Sequence, residues 1–288
     1  MGTSNGNRGQ DGRTPLVPSW LSAGGAPPEP RPDQPSAEGI PLRVPLPPAL
    51  PPIPPMAAAD RFTAARSNFS RYASSGGSDR PSLGRALSHY VSTSSGGGGT
   101  AAQRMGSSRT AGAQLLGFLS SAVANGPQEA LRGLNLQGLA GQPIEEIFVG
   151  LIDYVCPEGG SLDEGIAREA FIETIADLAE NGVVSLDGLT ADQMQTIFEL
   201  YAAHAIEARL CNDIGAKAIA LPADAALAAT VQKQLLDFVR RSVSDAMTQA
   251  RAAMLALTPE TVSGFVTRIY ESAFNILETL AEAEADTE

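Results

Sequence analysis

Only two histidines and two cysteines occur in the 288 residues, so side-chain chemistry must run through His89, His204, Cys156 or Cys211, or do without them. His204 stands in ELYAAHAIEARLC, three residues before Glu207 and one heptad before Cys211 on the same expected helix. A di-iron bundle needs two Glu-x-x-His helices plus further carboxylates, and no other helix supplies a second histidine. The spacing therefore points to a histidine packed in or beside a helix interface. Cys156, in DYVCPEGG, reads as a helix-end cysteine before a turn, with no histidine near it in sequence to make it a nucleophile or a metal ligand. The stretch TSSGGGGTAAQRMG looks like a phosphate loop feeding a helix N-terminus. The first lysine of the chain is Lys217, however, which excludes a Walker A motif. Either a flexible hinge remains there, or an anion held by the helix N-terminus with Arg104 and Arg109. No catalytic constellation or cofactor motif emerges, and the chain reads as a non-enzyme; the competing alternative is a helical metalloprotein centred on His204 and Glu207.

The densest cluster is RFTAARSNFSRYASSGGSDRPSLGRAL. Residues 61–114 hold seven arginines and one acid, with Phe62, Phe69, Tyr72 and Tyr90 interleaved. Candidate binding residues are Arg61, Phe62, Arg66, Asn68, Phe69, Arg71, Tyr72, Arg85, Arg104 and Arg109. Arginines with aromatics suit phosphate contact plus base stacking. The same arm suits docking on the protein's own acidic body or on a partner protein. Charge weighs against nucleic acid: residues 1–114 carry 11 arginines against six acids, a net of +5, whereas residues 115–288 carry nine basic and 26 acidic groups, a net of −17. The helical half would repel phosphate.

A second cluster is apolar. The only tryptophan, Trp20, sits with Pro15, Leu16, Val17, Pro18 and Leu21, ahead of PLRVPLPPALPPIPP, a segment that cannot pack. Fifteen of the 21 prolines precede residue 61, which marks residues 1–59 as a disordered or polyproline tail. Trp20 and its neighbours read as a linear docking motif that orders on binding; the alternative is that Trp20 tucks into a groove on the body. Between Leu21 and Asp60, about 40 residues span several tens of ångströms as a loose coil.

From Asp60 onward the periodicity is helical. DRFTAARSNFSRYA takes Asp60 as N-cap, PSLGRALSHYV opens on Pro81, and a third helix runs from Thr100 to Gly126. PIEEIFVGLIDYVC places Ile144, Ile147, Phe148, Leu151 and Tyr154 on one stripe. Ser161 with Glu164, and Thr190 with Gln193, stand in capping-box register, and a long Ala-rich helix and one opening at Thr258-Pro259 follow. GVVSL at 182–186 is the sole β-flavoured fragment. The fold class is all-α: a helical bundle of five or six main helices preceded by a long disordered Pro/Gly/Ser-rich N-terminal tail. The expected division is tail 1–59, Arg/aromatic arm 60–114 and acidic all-α domain 115–288. With no apolar run of about 18 residues, no signal peptide and too few cysteines for a disulfide framework, the expectation is a soluble cytoplasmic protein without membrane contact.

MGTS at the start, PLVPSWL, RFTAARSNFSRYASSGG, LGRALSHYV and GGGGTAAQRMGSSR leading into LLGFL together resemble the QatB family of the bacterial Qat anti-phage defence cassette. The resemblance covers residues 1–20 and 60–120; the helical remainder matches in character and the proline-rich spacer hardly at all. It implies a non-enzymatic role without cofactor, beside an ATPase, a TatD-like nuclease and a QatC-like enzyme similar to the queuosine-pathway synthetase. Gly2 then gains a meaning. Once Met1 is trimmed, its α-amine, with a pKa near 7.7–8.0, keeps a nucleophilic neutral fraction at pH 7. Gly6 stands where myristoylation needs Ser or Thr. The expectation is that Gly2 is presented to the queuosine-synthetase-like partner for binding or for attachment of a deazaguanine-type group.

Overall fold

The computed structural model describes residues 61–157, 159–180, 185–215 and 222–287, all within one compact unit. Gly2, the Pro15–Leu21 motif, the proline-rich spacer, the expected Asp60 cap and most of GVVSL lie outside the described residues.

Ten α-helices and no strand occur among the described residues. The order is α1 Thr63–Ser74, α2 Arg80–His89, α3 Gly98–Gln103, α4 Gly106–Asn125, α5 Pro127–Gly133, α6 Ile144–Val155, α7 Leu162–Glu180, α8 Ala191–Ile214, α9 Ala225–Met254 and α10 Val262–Ala285. The fold is all-α, as the periodicity implies. Where the capping signals are strong, the boundaries follow them. Asp79 accepts from the Ser82 N–H at 3.1 Å to start α2. Ser161 and Glu164 exchange reciprocal bonds of 3.2 and 2.8 Å at the start of α7, and Thr190 and Gln193 do the same for α8.

Three expectations need correction. The helix expected from Thr100 to Gly126 is two, α3 and α4, because the chain turns at Arg104–Met105 and Gly106 takes φ +21°. The helix expected to open at Thr258-Pro259 begins at Val262. The Thr258 N–H instead donates to Thr261 Oγ1 at 2.9 Å, forming a turn that delays the first helical residue. Tyr90–Ser94 is not the last turn of an α-helix but a π-helical turn extending α2. Helix α5 and a 3-10 turn at Gln137–Leu139 carry too little periodicity to be read in advance.

Helices α8 and α10 form the spine. Helix α8 is buried almost all round, from Met194 and Ile197 through Phe198, Tyr201 and Ile206 to Leu210, and it packs on α4, α7 and α9. Helix α10 buries Phe265, Ile269, Tyr270, Phe274 and Leu277 and packs on α2, α3, α4 and α9. Each such aromatic or aliphatic side chain contributes about 1.5–3 kcal/mol on burial. Phe171 of α7 links α6 to α8, stacked on Phe148 at 5.6 Å and edge-on to Tyr201 at 6.3 Å. No helix among the described residues is long and apolar enough to cross a membrane.

Helices α2 and α10 touch backbone to backbone at Gly84, where a Cβ would lie 2.5 Å from the Ala281 carbonyl oxygen and 2.6 Å from the Ala285 nitrogen. Neither atom can retreat without moving its helix. Gly84→Ala is expected to lower stability by about 1–3 kcal/mol in chemical denaturation. Gly117, mid-helix in α4 with open space where its Cβ would stand, gives the opposite sign: Gly117→Ala gains about 0.5–1 kcal/mol. Equal effects at the two positions would contradict the close α2–α10 approach.

Candidate interaction site

The end of α8 is electrically crowded. A helix C-terminus carries partial negative charge and orphan carbonyls, and Asp213 adds a full carboxylate in the last turn. Cations gather there in compensation. Asp213 Oδ2 accepts from Arg104 Nη2 at 2.9 Å, from Arg209 Nε at 3.2 Å and from the Tyr90 hydroxyl at 2.9 Å. Arg209 also pairs with Asp163 of α7. Arg66 donates from Nε to the Ile214 carbonyl at 2.6 Å and from Nη2 to the Asp213 carbonyl at 3.2 Å, so α1 caps the end of α8. Burial, reinforced by Asp213, raises the Tyr90 phenol far above its ordinary range, and Tyr90 is a neutral donor. Burial lowers the Arg104 guanidinium, with Asp213 opposing.

Phe62 anchors the front of this cluster. Its ring stacks on Tyr90 at 5.5 Å, and the Arg104 and Arg61 guanidiniums lie 5.1 and 5.6 Å from its centroid. Arg61 Nε donates to the Ser94 carbonyl. Farther along α1, Phe69 meets Tyr72 edge-on at 5.6 Å. The Tyr72 hydroxyl donates to Gln234 Oε1 at 2.8 Å, and burial pushes its pKa up to about 12. Asn68 bonds back to the Ala64 carbonyl at 3.0 Å, Arg85 reaches Ser82 Oγ at 3.2 Å, and Arg109 reaches the Gln103 carbonyl at 3.3 Å. Arg71 is exposed on α1. The rings of Phe62, Phe69, Tyr72 and Tyr90 are therefore all buried, and most of the arm's arginines bond inside the fold. Sequence reading singled out these arginines but not Asp213, Arg209 or Asp163; the only advance signal was the i,i+4 spacing of Arg209 and Asp213.

The second polar cluster surrounds His204, which is 5 % exposed at the α7–α8–α9 interface. Its Nε2 is 2.7 Å from Asp177 Oδ2 of α7, its Nδ1 is 3.8 Å from Glu207, and Arg240 of α9 also bonds Asp177. The ring fronts a cleft of about 470 Å³ bordered by Glu169, Glu173, Cys211 and Lys233. Burial pushes the Cys211 thiol up to about 12, with Glu207 and Glu169 adding to the effect, so it is no thiolate at neutral pH. Cys156 is also pushed up to about 12 by burial, and its Sγ donates to the Ala167 carbonyl at 3.4 Å. Among the described residues no group of three or more His, Cys, Asp or Glu side chains is placed to hold a metal ion.

Fold and sites together define an all-helical protein whose charged side chains tie its helices to one another. Comparison with protein families places it further: the family described as Qat anti-phage system associated protein QatB matches residues 96–277, so the chain belongs to the QatB family and is a component of an anti-phage defence system. The match runs through the helical body and overlaps the resembling motifs only from Gly96 onward; the helical remainder carries most of it. No curated protein and no solved structure matches the chain.

Two outcomes follow. Asp213→Ala leaves Arg104 and Tyr90 without their acceptor and Arg209 with Asp163 alone, and denaturant titration is expected to show a loss of about 3–5 kcal/mol; a loss under 1 kcal/mol would refute the Asp213 hub. For His204, burial opposes the imidazolium, but Glu207 and Asp177 outweigh burial and Arg240 and raise its pKa above the ordinary value. A raised folded pKa stabilises fully below the unfolded value of about 6.5 and loses that contribution as pH rises through the folded one. The stability advantage of the native chain over His204→Gln should therefore be largest below about pH 6 and shrink on raising the pH; an advantage that grows with pH would contradict the pairing.

Proposed function

We propose that the protein is the non-enzymatic member of its cytoplasmic defence complex and that it presents its N-terminal tail, Gly2 foremost, to a queuosine-synthetase-like enzyme for binding or N-terminal modification. The observation that carries this reading is the contrast along the chain. The only tryptophan and its apolar neighbours stand some 40 residues ahead of the first helix, across a spacer holding most of the prolines. The body contributes a fixed root for that tail, because Phe62, directly before α1, is clamped by Tyr90, Arg61 and Arg104. Pro15–Leu21 dock on the partner while the unhindered glycine amine enters its active site. In the modification step the α-amine nitrogen forms the new bond and its proton goes to solvent. The leaving group on the activated deazaguanine-type moiety departs with its electron pair. The cassette ATPase and TatD-like nuclease are the further partners. A nucleic-acid-sensing role for the Arg/aromatic arm finds less support, since its four rings are buried and offer no face for a base.

Mass spectrometry of the protein co-expressed with its genomic neighbours tests the proposal. The expected result is a discrete added mass on the N-terminal peptide, lost together with phage protection in Gly2→Pro and Gly2→Glu while the helical circular-dichroism signal is unchanged. An unmodified and uncaptured Gly2 terminus in a protecting system, or full protection by Gly2→Glu, would overturn it.

A further inference from the structure

The cleft in front of His204 has the size and lining of a small-molecule site. Helices α1, α7, α8 and α9 all border it, and its volume of about 470 Å³ lies within the range of roughly 300–1,000 Å³ usual for such sites. Apolar surface dominates the lining, with Phe69 from α1 and Val231, Leu235 and Leu236 from α9. The acidic groups come from the other two helices: Glu169 and Glu173 from α7 and Glu207 from α8. Glu169 and Glu173 are exposed and Glu207 half-buried, so the carboxylates adjoin open space.

These three carboxylates differ from their neighbours. Asp163 and Asp177 of α7 and Asp213 of α8 each meet an arginine. Glu169, Glu173 and Glu207 meet no arginine or lysine among the described residues; Glu207 has only the His204 ring beside it. Glu169 and Glu173 stand one turn apart on α7, where like charges repel. Glu169 and Glu207 both act on the Cys211 thiol, which also borders the cleft, so the two carboxylates converge on one part of it. Lys233 is the one lysine in the lining, and negative charge remains in excess. His204, 5 % exposed, gives its Nε2 to Asp177 at 2.7 Å, whereas its Nδ1 faces Glu207 across 3.8 Å, too far for a direct hydrogen bond.

From the apolar walls and the convergent carboxylates without arginine partners, we infer that this cleft binds a small organic cation, a primary amine or guanidinium carried on a hydrocarbon body about the size of a phenyl ring. The cationic head lies against Glu169 and Glu207, and the body covers the apolar side chains of α1 and α9. The site is built from the helical body alone and does not depend on the reading of the N-terminal segment.

Calorimetric titration of the full chain with phenethylamine and with phenethylguanidine at fixed ionic strength tests this. Ammonium and magnesium serve as charge without the body, and phenethyl alcohol as the body without charge. Saturable binding of an organic cation is expected, with none for the three controls, and the tighter of the two cations identifies the head group. Glu169→Gln and Glu207→Gln each weaken binding about tenfold, whereas Glu146→Gln, which removes the same charge from an exposed position on α6, leaves it unchanged. Glu207→Gln also alters the His204 pair, so Glu169→Gln decides alone should that variant not fold. A cation in the cleft opposes the imidazolium, so the NMR titration of the His204 ring moves to lower pH with ligand while that of His89 stays. No saturable binding, equal binding of ammonium or magnesium, full affinity in Glu169→Gln, or a His204 titration that does not move would overturn the inference.

Discussion

A carboxylate in the last turn of a helix is out of place, because it faces the negative end of the helix dipole. Asp213 occupies such a position, nearly sealed from water with side-chain exposure of 7 %. Everything around the end of α8 follows from satisfying it. Arg104 comes from the break between α3 and α4, Arg209 from one turn back on α8, Tyr90 from the π-helical turn after α2, and Arg66 from α1 to take the free carbonyls. Separate segments therefore acquire fixed positions by meeting one charge. A buried pair of this kind is a weak source of net stability but a strong penalty when half removed, so it selects one arrangement over others.

Close packing supplies the complementary constraint. Gly84 lets α2 lie against the α10 backbone, Gly98 brings α3 onto Asn275, and Gly112 lets α4 approach Tyr201. The short helices α2 and α3 thus seat on α10 with little room for adjustment, while α1 packs on α2 and α9 and reaches the end of α8 through Arg66. An arginine-rich segment followed by an acidic one need not be two surfaces facing outward. Here the positive half lends its guanidiniums to the negative half, with Arg80 on Glu284 and Arg104 on Asp213.

For a QatB-family protein this has a functional consequence. On the proposed reading the N-terminal segment delivers its tip from a fixed root, and the Phe62 clamp lies at the start of the described helical body. On that reading the length of the spacer would set the effective concentration of the tip at a partner's site.

The helices themselves were legible in the chain, since capping boxes, glycine stops and 3.6-residue periodicity are local signals carried by neighbouring residues; α7 and α8 start where Ser161 and Thr190 place them. The scarcity of histidine and cysteine likewise narrowed the candidate chemistry to a few positions. The break at Gly106, the delayed start of α10 and the π-helical turn were not legible, because each depends on what the next helix must pack against. The largest gap concerned the arginines. Composition identified Arg61, Arg66 and Arg104 as able to bind an anion, but their partners lie more than 30 residues away in sequence, at Ser94, Ile214 and Asp213. Charge is a property of a residue, whereas pairing is a property of the space around it, so only the tertiary structure decided which guanidiniums are satisfied and which donors remain open.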